Sequence, residues 1–600
     1  MKTWRMMSVV LAVAALALAA TAYAVTPRTT TKVNRVIGGS YDPMGKAAGV
    51  TYPVITADSP GDSIDFTWYE YQSNGSMSRQ IVLDHASHGL HVAYMKSPNS
   101  SFTPRNSVYQ FNDRVGGGWT GELDMNTARS GYVTLAVLPD GRGVGAFHQV
   151  GGAGIRSVVA VDALQGAGAF TVHNVDTSSI PPGVATTPVW PHVGAGNGTY
   201  VHVAAHQNSI SRIYRNTSSN EGTSFLNWTR LESQTDTSIE NPIAQDVIVG
   251  PSGKVAIAFT RWTGHGGTGG ADKQRNMDLI YIESTNNGMT WGTPVNVTNY
   301  LAADTVRAFE DVSGVYDAAG NLNLVWTGCK IEGDATYYVA AAIFHWKQGG
   351  PIHLVSGTGN VTGTYWWAFD GQPYNFAQAL TKTSLSMDST GNLFCVWEGQ
   401  REMPEDSSAY GYENYDLYGA GSANGGTTWN ASFNITNSHA PGSAPGAGMS
   451  DNWPSLAAFS PDSVRMLWIV DRDPGSAVQG EGDVVSCPVH YLAMPKSQFL
   501  VGVEGQPPMV KAPSQFELGM ARPNPVGKLT EIQYALPVPR NVNLSVYNAA
   551  GQLVKVLDSG AKAPGYHSAR WDGSSVPAGV YFYRLSAGEF RQTRSMVVVR

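Results

Sequence analysis

The sequence predicts an all-β chain: a β-propeller of seven blades, with six as the alternative, followed by a small β-sandwich. Three observations carry this reading. The first is composition. The 600 residues include 67 glycines, 27 tyrosines and 16 tryptophans, and only 14% are charged. That is a turn-rich, aromatic mixture suited to strands, in a chain too long for one core. The second is a repeated turn. Ser284-Thr285-Asn286-Asn287-Gly288-Met289-Thr290-Trp291 is matched at its key positions by Ser422 to Trp429, and more weakly by Ser218 to Phe225, where Phe replaces Trp. The third is a turn with Gly, replaced by Ser in the last copy, leading into a short apolar strand. It recurs at His88–Met95, Asp140–His148, Gly196–His206, Ser252–Trp262, Ala319–Gly328, Thr390–Gly399 and Pro461–Asp471. Successive copies lie about 50–70 residues apart, the span of one four-stranded blade with its loops. The turn follows the same period, and seven copies of the strand imply seven blades.

In chain order, residues 1–24 read as a secretory signal peptide. Lys2 and Arg5 precede the apolar run Val9–Ala20, and Ala22-Tyr23-Ala24 offers small residues for cleavage, with a mature start near Val25. The run is too short to span a bilayer well, and no later segment is apolar enough to do so. Residues 25–505 form the propeller. Within it, Ile64–Tyr71 precedes the first repeat and is expected to supply the outer strand of the last blade, so that no edge is left open. In the repeated turn, Asn side chains bond their own backbone, Gly288 takes a positive φ, and Trp291 carries apolar area back onto the sheet. Residues 506–517 form a linker marked by Pro507, Pro508 and Pro513. Residues 518–600 then show period-two strands with Gly turns, such as Val542–Tyr547 and Val580–Leu585, which read as a small sandwich. Cys329, Cys395 and Cys487 are odd in number and widely spaced, which argues against a disulfide framework. Cys395, inside an apolar strand, reads as a buried hydrophobe.

Two resemblances follow from these residues. The pattern carried by Ser284, Asn286, Gly288 and Trp291, and again by Ser422, Asn424, Gly426 and Trp429, resembles the Asp-box of sialidase-like β-propellers, with Asn in place of the usual Asp. The resemblance implies that these turns are structural. The tail resembles the C-terminal sorting domains of the type IX secretion system, which are related to the immunoglobulin-like module of flagellar hook-cap proteins. Asn524-Pro525, Tyr547, Gly551, Trp571-Asp572 and Gly579-Val580-Tyr581 carry it, and Arg594 departs from the usual Lys. It implies an immunoglobulin-like sandwich, a secreted or cell-surface protein, and sorting machinery as a partner. Sialidases also carry an early Arg-Ile-Pro or Arg-Leu-Pro motif. Here Arg35-Val36-Ile37 lacks the Pro.

Function is expected on the face opposite the repeated turns, where the second-to-third loops and the blade connections lie. Those loops supply Arg261, Glu398, Arg401, Tyr412, Asp471 and Arg472. The connections supply Arg307, Glu310 and Asp311, then Trp366, Trp367 and Tyr374. Aromatic faces stack on sugar rings and Arg forks grip carboxylates, so the set suits a glycan. Hydrolysis would need two carboxylates, or a Tyr nucleophile with its Glu, and Glu398, Glu402, Asp471 and Tyr412 are the available pieces. The expected function is non-catalytic binding or adhesion to an extracellular glycan or other polymer. The alternative is an exo-acting glycosidase of the sialidase type with a diverged site. A net charge of −7 without a basic block excludes nucleic acid as a partner. There is no P-loop, HExxH or GxSxG. Asp471-Arg472-Asp473 and Glu402–Asp406 offer hard oxygens for Ca²⁺, but neither has a recognisable loop spacing, and no cofactor or metal is expected.

Overall fold

Strands in this chain are short, and several in the ring are buried over their whole length. Leu380–Met387 and Leu393–Gln400 have no exposed residue. Continuous burial, in place of alternation, marks sheets packed on both faces. The structure, a computed structural model, describes residues 58–599 apart from 78, 85–88, 116–117, 152–153, 176–187, 208–211, 232–243, 265–275, 302–303, 333–334, 357–366, 369–378, 401–405, 501–515, 537–539, 563–564 and 589. The expected signal peptide 1–24, Arg35–Ile37 and most of the linker 506–517 lie outside these. The chain divides into two units, a ring of blades and a second unit carrying residues 505–600.

The ring is a seven-bladed propeller of antiparallel four-stranded sheets. Blade 1 runs Ile81–Leu83, Leu90–Lys96, Asn106–Asn112 and Leu123–Asp124. Blade 2 runs Ser130–Val137, Gly143–Gly151, Gly154–Asp162 and Phe170–Asn174. Blade 3 runs Pro188–Ala195, Val201–Gln207, Ile213–Ser218 and Thr229–Arg230. Blade 4 runs Gln245–Val249, Val255–Trp262, Met277–Ser284 and Val295–Asn296. Blade 5 runs Ser313–Tyr316, Leu322–Glu332, Ala335–Lys347 and Ile352–Leu354, and the short strand Val306–Ala308 stitches it to blade 4. Blade 6 runs Leu380–Met387, Leu393–Gln400, Tyr415–Ser422 and Phe433–Asn434. Blade 7 takes Ser450–Leu456, Ser463–Asp471 and Cys487–Pro495 from the end of the ring. Its fourth strand is Asp62–Thr67, which pairs with Cys487–Tyr491. The expected closing strand therefore exists but stops at Thr67, and Tyr69 and Tyr71 turn into the core.

After the closing strand the chain enters the central channel. Ser76 Oγ accepts the amides of Gln245 in blade 4 (2.9 Å) and Val312 beside blade 5 (3.3 Å). Gly75 O accepts Lys382 Nζ of blade 6 at 2.9 Å. The Arg79 guanidinium donates to Gly314 O (2.6 Å), Leu385 O (2.9 Å) and Leu456 O (3.0 Å), one carbonyl each from blades 5, 6 and 7. The residues between closing strand and blade 1 thus plug the axis.

Three repeated turns join third to fourth strands. Ser284 Oγ accepts the Gly288 amide at 2.9 Å, and Asn286 Oδ1 accepts the Thr290 amide at 2.9 Å. The same two bonds recur from Ser422 and Asn424, and from Ser218 and Asn220. Gly288, at φ 75°, also packs so tightly on blade 3 that a Cβ would stand 2.8 Å from both His202 Nδ1 and Thr217 Oγ1. Two separate constraints therefore demand glycine there.

The second unit is a sandwich of a three-stranded and a four-stranded antiparallel sheet. The first holds Glu517–Arg522, Leu529–Leu536 and Gly565–Asp572. The second holds Leu553–Lys562, Arg540–Asn548, Gly579–Ala587 and Phe590–Val598. Here burial alternates along Gly579–Ala587, so one face meets the core, where Trp571 and Tyr583 sit, and the other faces solvent. The three cysteines are free and buried. Among the described residues no helix is long and apolar enough to cross a membrane.

Candidate functional site at the axis mouth

The face opposite the repeated turns carries the starts of the inner strands and the ends of the second strands. Four inner strands break register just after they begin, in blades 2, 3, 6 and 7. The bulged residue is in each case a large side chain at positive φ: Tyr132 (58°), Trp190 (52°), Lys382 (56°) and Trp453 (64°). Such a conformation costs about 1–3 kcal/mol per non-glycine residue and persists only where surrounding packing imposes it. The bulges bring these side chains around Tyr71. Its ring lies 4.8 Å from Trp453 and 6.5 Å from Tyr132, which is 6.5 Å from Trp190. Lys382 Nζ stands 5.0 Å from the Trp453 ring. The result is an aromatic collar at the mouth of the axis.

Blades 1 and 2 add two arginines to this collar. The Arg105 guanidinium lies 4.6 Å over the Tyr69 ring, and its Nε donates to Ser130 O at 3.1 Å. Arg129 Nη1 donates to Phe102 O at 2.6 Å. Burial and then the like charge of Arg105 push the Arg129 pKa down. Among the described residues no carboxylate pairs with either arginine. The Tyr69 and Tyr132 hydroxyls are 3.4 Å apart beside them. Burial first, then Arg105 and Arg129, push His148 down to about 3. Burial likewise holds His192 at about 3 and His206 at about 4, so all three imidazoles are neutral near pH 7. Arg105, Arg129, Tyr132 and Trp190 remain half-buried, open at the mouth.

The far wall is acidic, and most of its carboxylate oxygens are engaged from within the protein. Thr381 Oγ1 lies 2.6 Å from Glu310 Oε1 and 3.0 Å from Asp311 Oδ2. Asp311 Oδ2 also accepts the Lys382 amide (2.6 Å) and Thr327 Oγ1 (2.9 Å). Burial raises Glu310 to about 7, against the pull of Lys382. Burial opposes the charge on Lys382, yet Glu310, Asp311 and Glu398 together hold its pKa above the ordinary value. Glu398 Oε2 accepts the Trp453 amide at 3.0 Å, which fixes the bulge of blade 7.

The residues expected from sequence fall differently from their assignment to loops. Glu398 and Asp471 are buried members of second strands, in Leu393–Gln400 and Ser463–Asp471. Arg261 also belongs to a second strand, in blade 4, where it registers with Asp278. Arg472 follows Asp471 in blade 7, and Tyr412 packs near Gly475 in the same corner. Trp366, Tyr374 and Arg401 lie outside the described residues, and Trp367 is described by its backbone alone, in the short strand Trp367–Ala368. Arg105, Arg129, Tyr132, His148, Trp190, Lys382 and Trp453 were not singled out from sequence. One signal existed: a bulky residue stands third in the inner strands of blades 2, 3 and 6, and fourth in that of blade 7.

Beside the closing strand lies a second acidic group. Glu70 Oε1 accepts the Val478 amide at 3.3 Å. Asp471 Oδ1 accepts the Asp473 amide at 3.0 Å and the Cys487 thiol at 3.6 Å, while Oδ2 has no partner among the described residues. Burial raises Glu70 to about 7, and burial plus the charge of Glu70 raises Asp471 well above its ordinary range. A carboxyl whose folded pKa is raised stabilises below its unfolded pKa, and that contribution is lost as pH rises through the folded value. The melting temperature is therefore expected to fall by a few degrees between pH 6 and pH 8.5. Asp471→Asn should flatten the curve in a thermal melt read at each pH, and an unchanged slope would refute this origin. Among the described residues no three His, Cys, Asp or Glu side chains are placed to share a metal ion.

No match was found among curated proteins. Among solved structures the chain is similar to an ulvan lyase, a polysaccharide lyase, at 11% identity over 72% of this chain and 96% of that one, with a TM-score of 0.44. It is similar to PorZ, a bacterial surface component of the type-IX secretion system of Porphyromonas gingivalis, at 12% identity over 91% and 61%, TM-score 0.37. It is also similar to an alpha-L-arabinanase of Penicillium chrysogenum in complex with arabinobiose, at 11% identity over 61% and 93%, TM-score 0.36. Likenesses this distant carry no argument about activity. In the second unit, residues 527–589 match the FlgD Ig-like domain.

Proposed function

We propose that the propeller is an extracellular binding module that holds an acidic polysaccharide at the axis mouth. The observation that carries this is the pair Arg105 and Arg129, adjacent and without a described carboxylate partner, inside an aromatic collar. Two guanidinium groups of like sign are costly side by side, and an anion between them turns the cost into charge-assisted hydrogen bonds. Tyr132 and Trp190 offer rings against which a pyranose can lie. A carboxylate or a sulfate ester on the sugar meets the same requirement. The alternative, an exo-acting glycosidase of the sialidase type, needs carboxylates facing the substrate. Glu310, Asp311 and Glu398 are instead buried and engaged by Thr381, Thr327, Lys382 and the Trp453 amide, which supports binding over hydrolysis.

We further read the tail as a type IX-like sorting domain, recognised by the secretion machinery, and residues 1–24 as the signal for the first export step. A secreted or cell-surface location follows from that reading. The binding claim is tested by affinity electrophoresis of the full chain in gels containing polygalacturonate, alginate, chondroitin sulfate, dextran or arabinoxylan. Retardation by the acidic polymers is expected, and its loss in the Arg105→Ala/Arg129→Ala double variant. Free migration in all three acidic gels would sink the proposal, and a steady release of reducing ends would restore the glycosidase.

A further inference from the structure

On the opposite face, a cavity of about 440 Å³ opens beside the turn Ser284–Trp291 of blade 4. Tyr281 and Glu283 come from one side of the third strand, and Thr285, Trp291, Thr293 and Val295 from the turn, the segment after it and the fourth strand. Its size lies in the range of small-molecule sites. The walls are held from outside. Glu283 Oε1 accepts the Tyr316 hydroxyl at 2.7 Å and stands 3.7 Å from Lys254 Nζ, while its Oε2 has no described partner. Trp291 Nε1 donates to Gly288 O at 2.8 Å, and the Arg215 guanidinium lies 4.8 Å from its ring. Gln348 Nε2 donates to the Tyr281 hydroxyl at 3.3 Å. A site fixed in this way loses little freedom on binding.

The same repeat position in blade 6 shows what such a niche accepts. Counting back from the turn serine, Gly419 and Gly421 stand where blade 4 has Tyr281 and Glu283. There the niche is filled by Phe499, from the short helix Lys496–Leu500. A Cβ on Gly419 would lie 2.7 Å from the Phe499 ring, and Asn430 Nδ2 donates to Phe499 O at 2.9 Å. The chain thus covers this position with a ring of its own in blade 6 and leaves it open in blade 4.

We propose that the blade 4 cavity is a second binding site, for a neutral saccharide ring. Two aromatic side chains supply apolar walls, the free Glu283 oxygen accepts sugar hydroxyls, and threonine side chains line the rim. Anionic sugars are disfavoured, because Glu283 is the charge that faces the cavity and Lys254 is already engaged by it and by Gly320 O at 2.7 Å. The site is independent of the axis mouth and lies on the other face, so one molecule can hold two polymer strands.

Saturation-transfer NMR on the full chain with cellobiose, maltose and lactose tests this. Signal from at least one disaccharide is expected. It should fall at least tenfold in Thr293→Trp, which fills the cavity from an exposed rim position, and persist in Arg105→Ala, which alters only the axis mouth. A matching thermal melt confirms that Thr293→Trp folds, and Thr285→Trp serves as the second blocking variant. No transfer from any of the three sugars, or transfer undiminished in both blocked variants, overturns the proposal.

Discussion

Replacing Arg79 by methionine is expected to destabilise the propeller by roughly 3–5 kcal/mol in guanidinium unfolding, the range for breaking a buried charged network. The argument begins with what Arg79 satisfies. Its guanidinium donates to three carbonyls on three inner strands, Gly314, Leu385 and Leu456. Hydrogen bonds to a charged group contribute about 1.5–3 kcal/mol each, and a stranded buried acceptor costs about 1–3 kcal/mol. Against this stands the desolvation of the cation, which lowers the Arg79 pKa and is partly offset by Asp246. The sum favours a large loss, because methionine keeps the volume and removes every donor. Arg79→Lys should recover less than half, since an ammonium lacks the planar fork that reaches three acceptors. A change below about 1 kcal/mol in the methionine variant would mean that the plug is ornamental.

The second large effect is expected at the axis mouth. Arg105→Ala and Arg129→Ala should each weaken binding to an acidic polymer by about 10–100-fold, the equivalent of one charge-assisted contact each. The double variant should fall by about 10²–10³, less than the product if the two share one anion. Rising salt should weaken the wild type and leave the double variant nearly flat, since it lacks the charges being screened. Binding measured by biolayer interferometry on immobilised polygalacturonate reads both quantities. Equal affinity in wild type and double variant would remove the arginines from the site. Lysine at either position should rescue charge but not two-point geometry.

The blades were legible because their signals are local and repeated. A Gly turn followed by an apolar strand, and a Ser/Asn/Gly/Trp turn, each state their structure within eight to eleven residues, about one hairpin's length. The closing strand was legible for a different reason: a ring needs a partner for its last edge, and Ile64–Tyr71 was the unclaimed strand-like segment. The mouth was not legible. Tyr132, Trp190, Lys382 and Trp453 reach it through bulges at positive φ, a conformation that no propensity assigns to such residues. Glu398 and Asp471 were read as loop residues because charge suggests exposure. They lie at the ends of second strands, where Glu398 accepts the Trp453 amide of the next blade and Asp471 accepts Asp473 and Cys487 of its own. Arg105 and Arg129 sit in short connections without a motif, and their meaning comes only from each other.

The closing strand has one more consequence, for the order of events during folding. Asp62–Thr67 pairs with Cys487–Tyr491, and Arg79 meets a carbonyl 377 residues along the chain. Contacts of such separation form late, because the intervening loop must first be shortened by the blades themselves. A chain made N-terminus first therefore holds its first strand and its axial plug unpaired until the seventh blade has arrived. Until then the nascent ring exposes two sheet edges, the template for joining a neighbouring chain. Crowded synthesis is thus the moment of greatest risk, and unfolding should start where folding ended, with that strand peeling first and showing the earliest amide exchange in the ring.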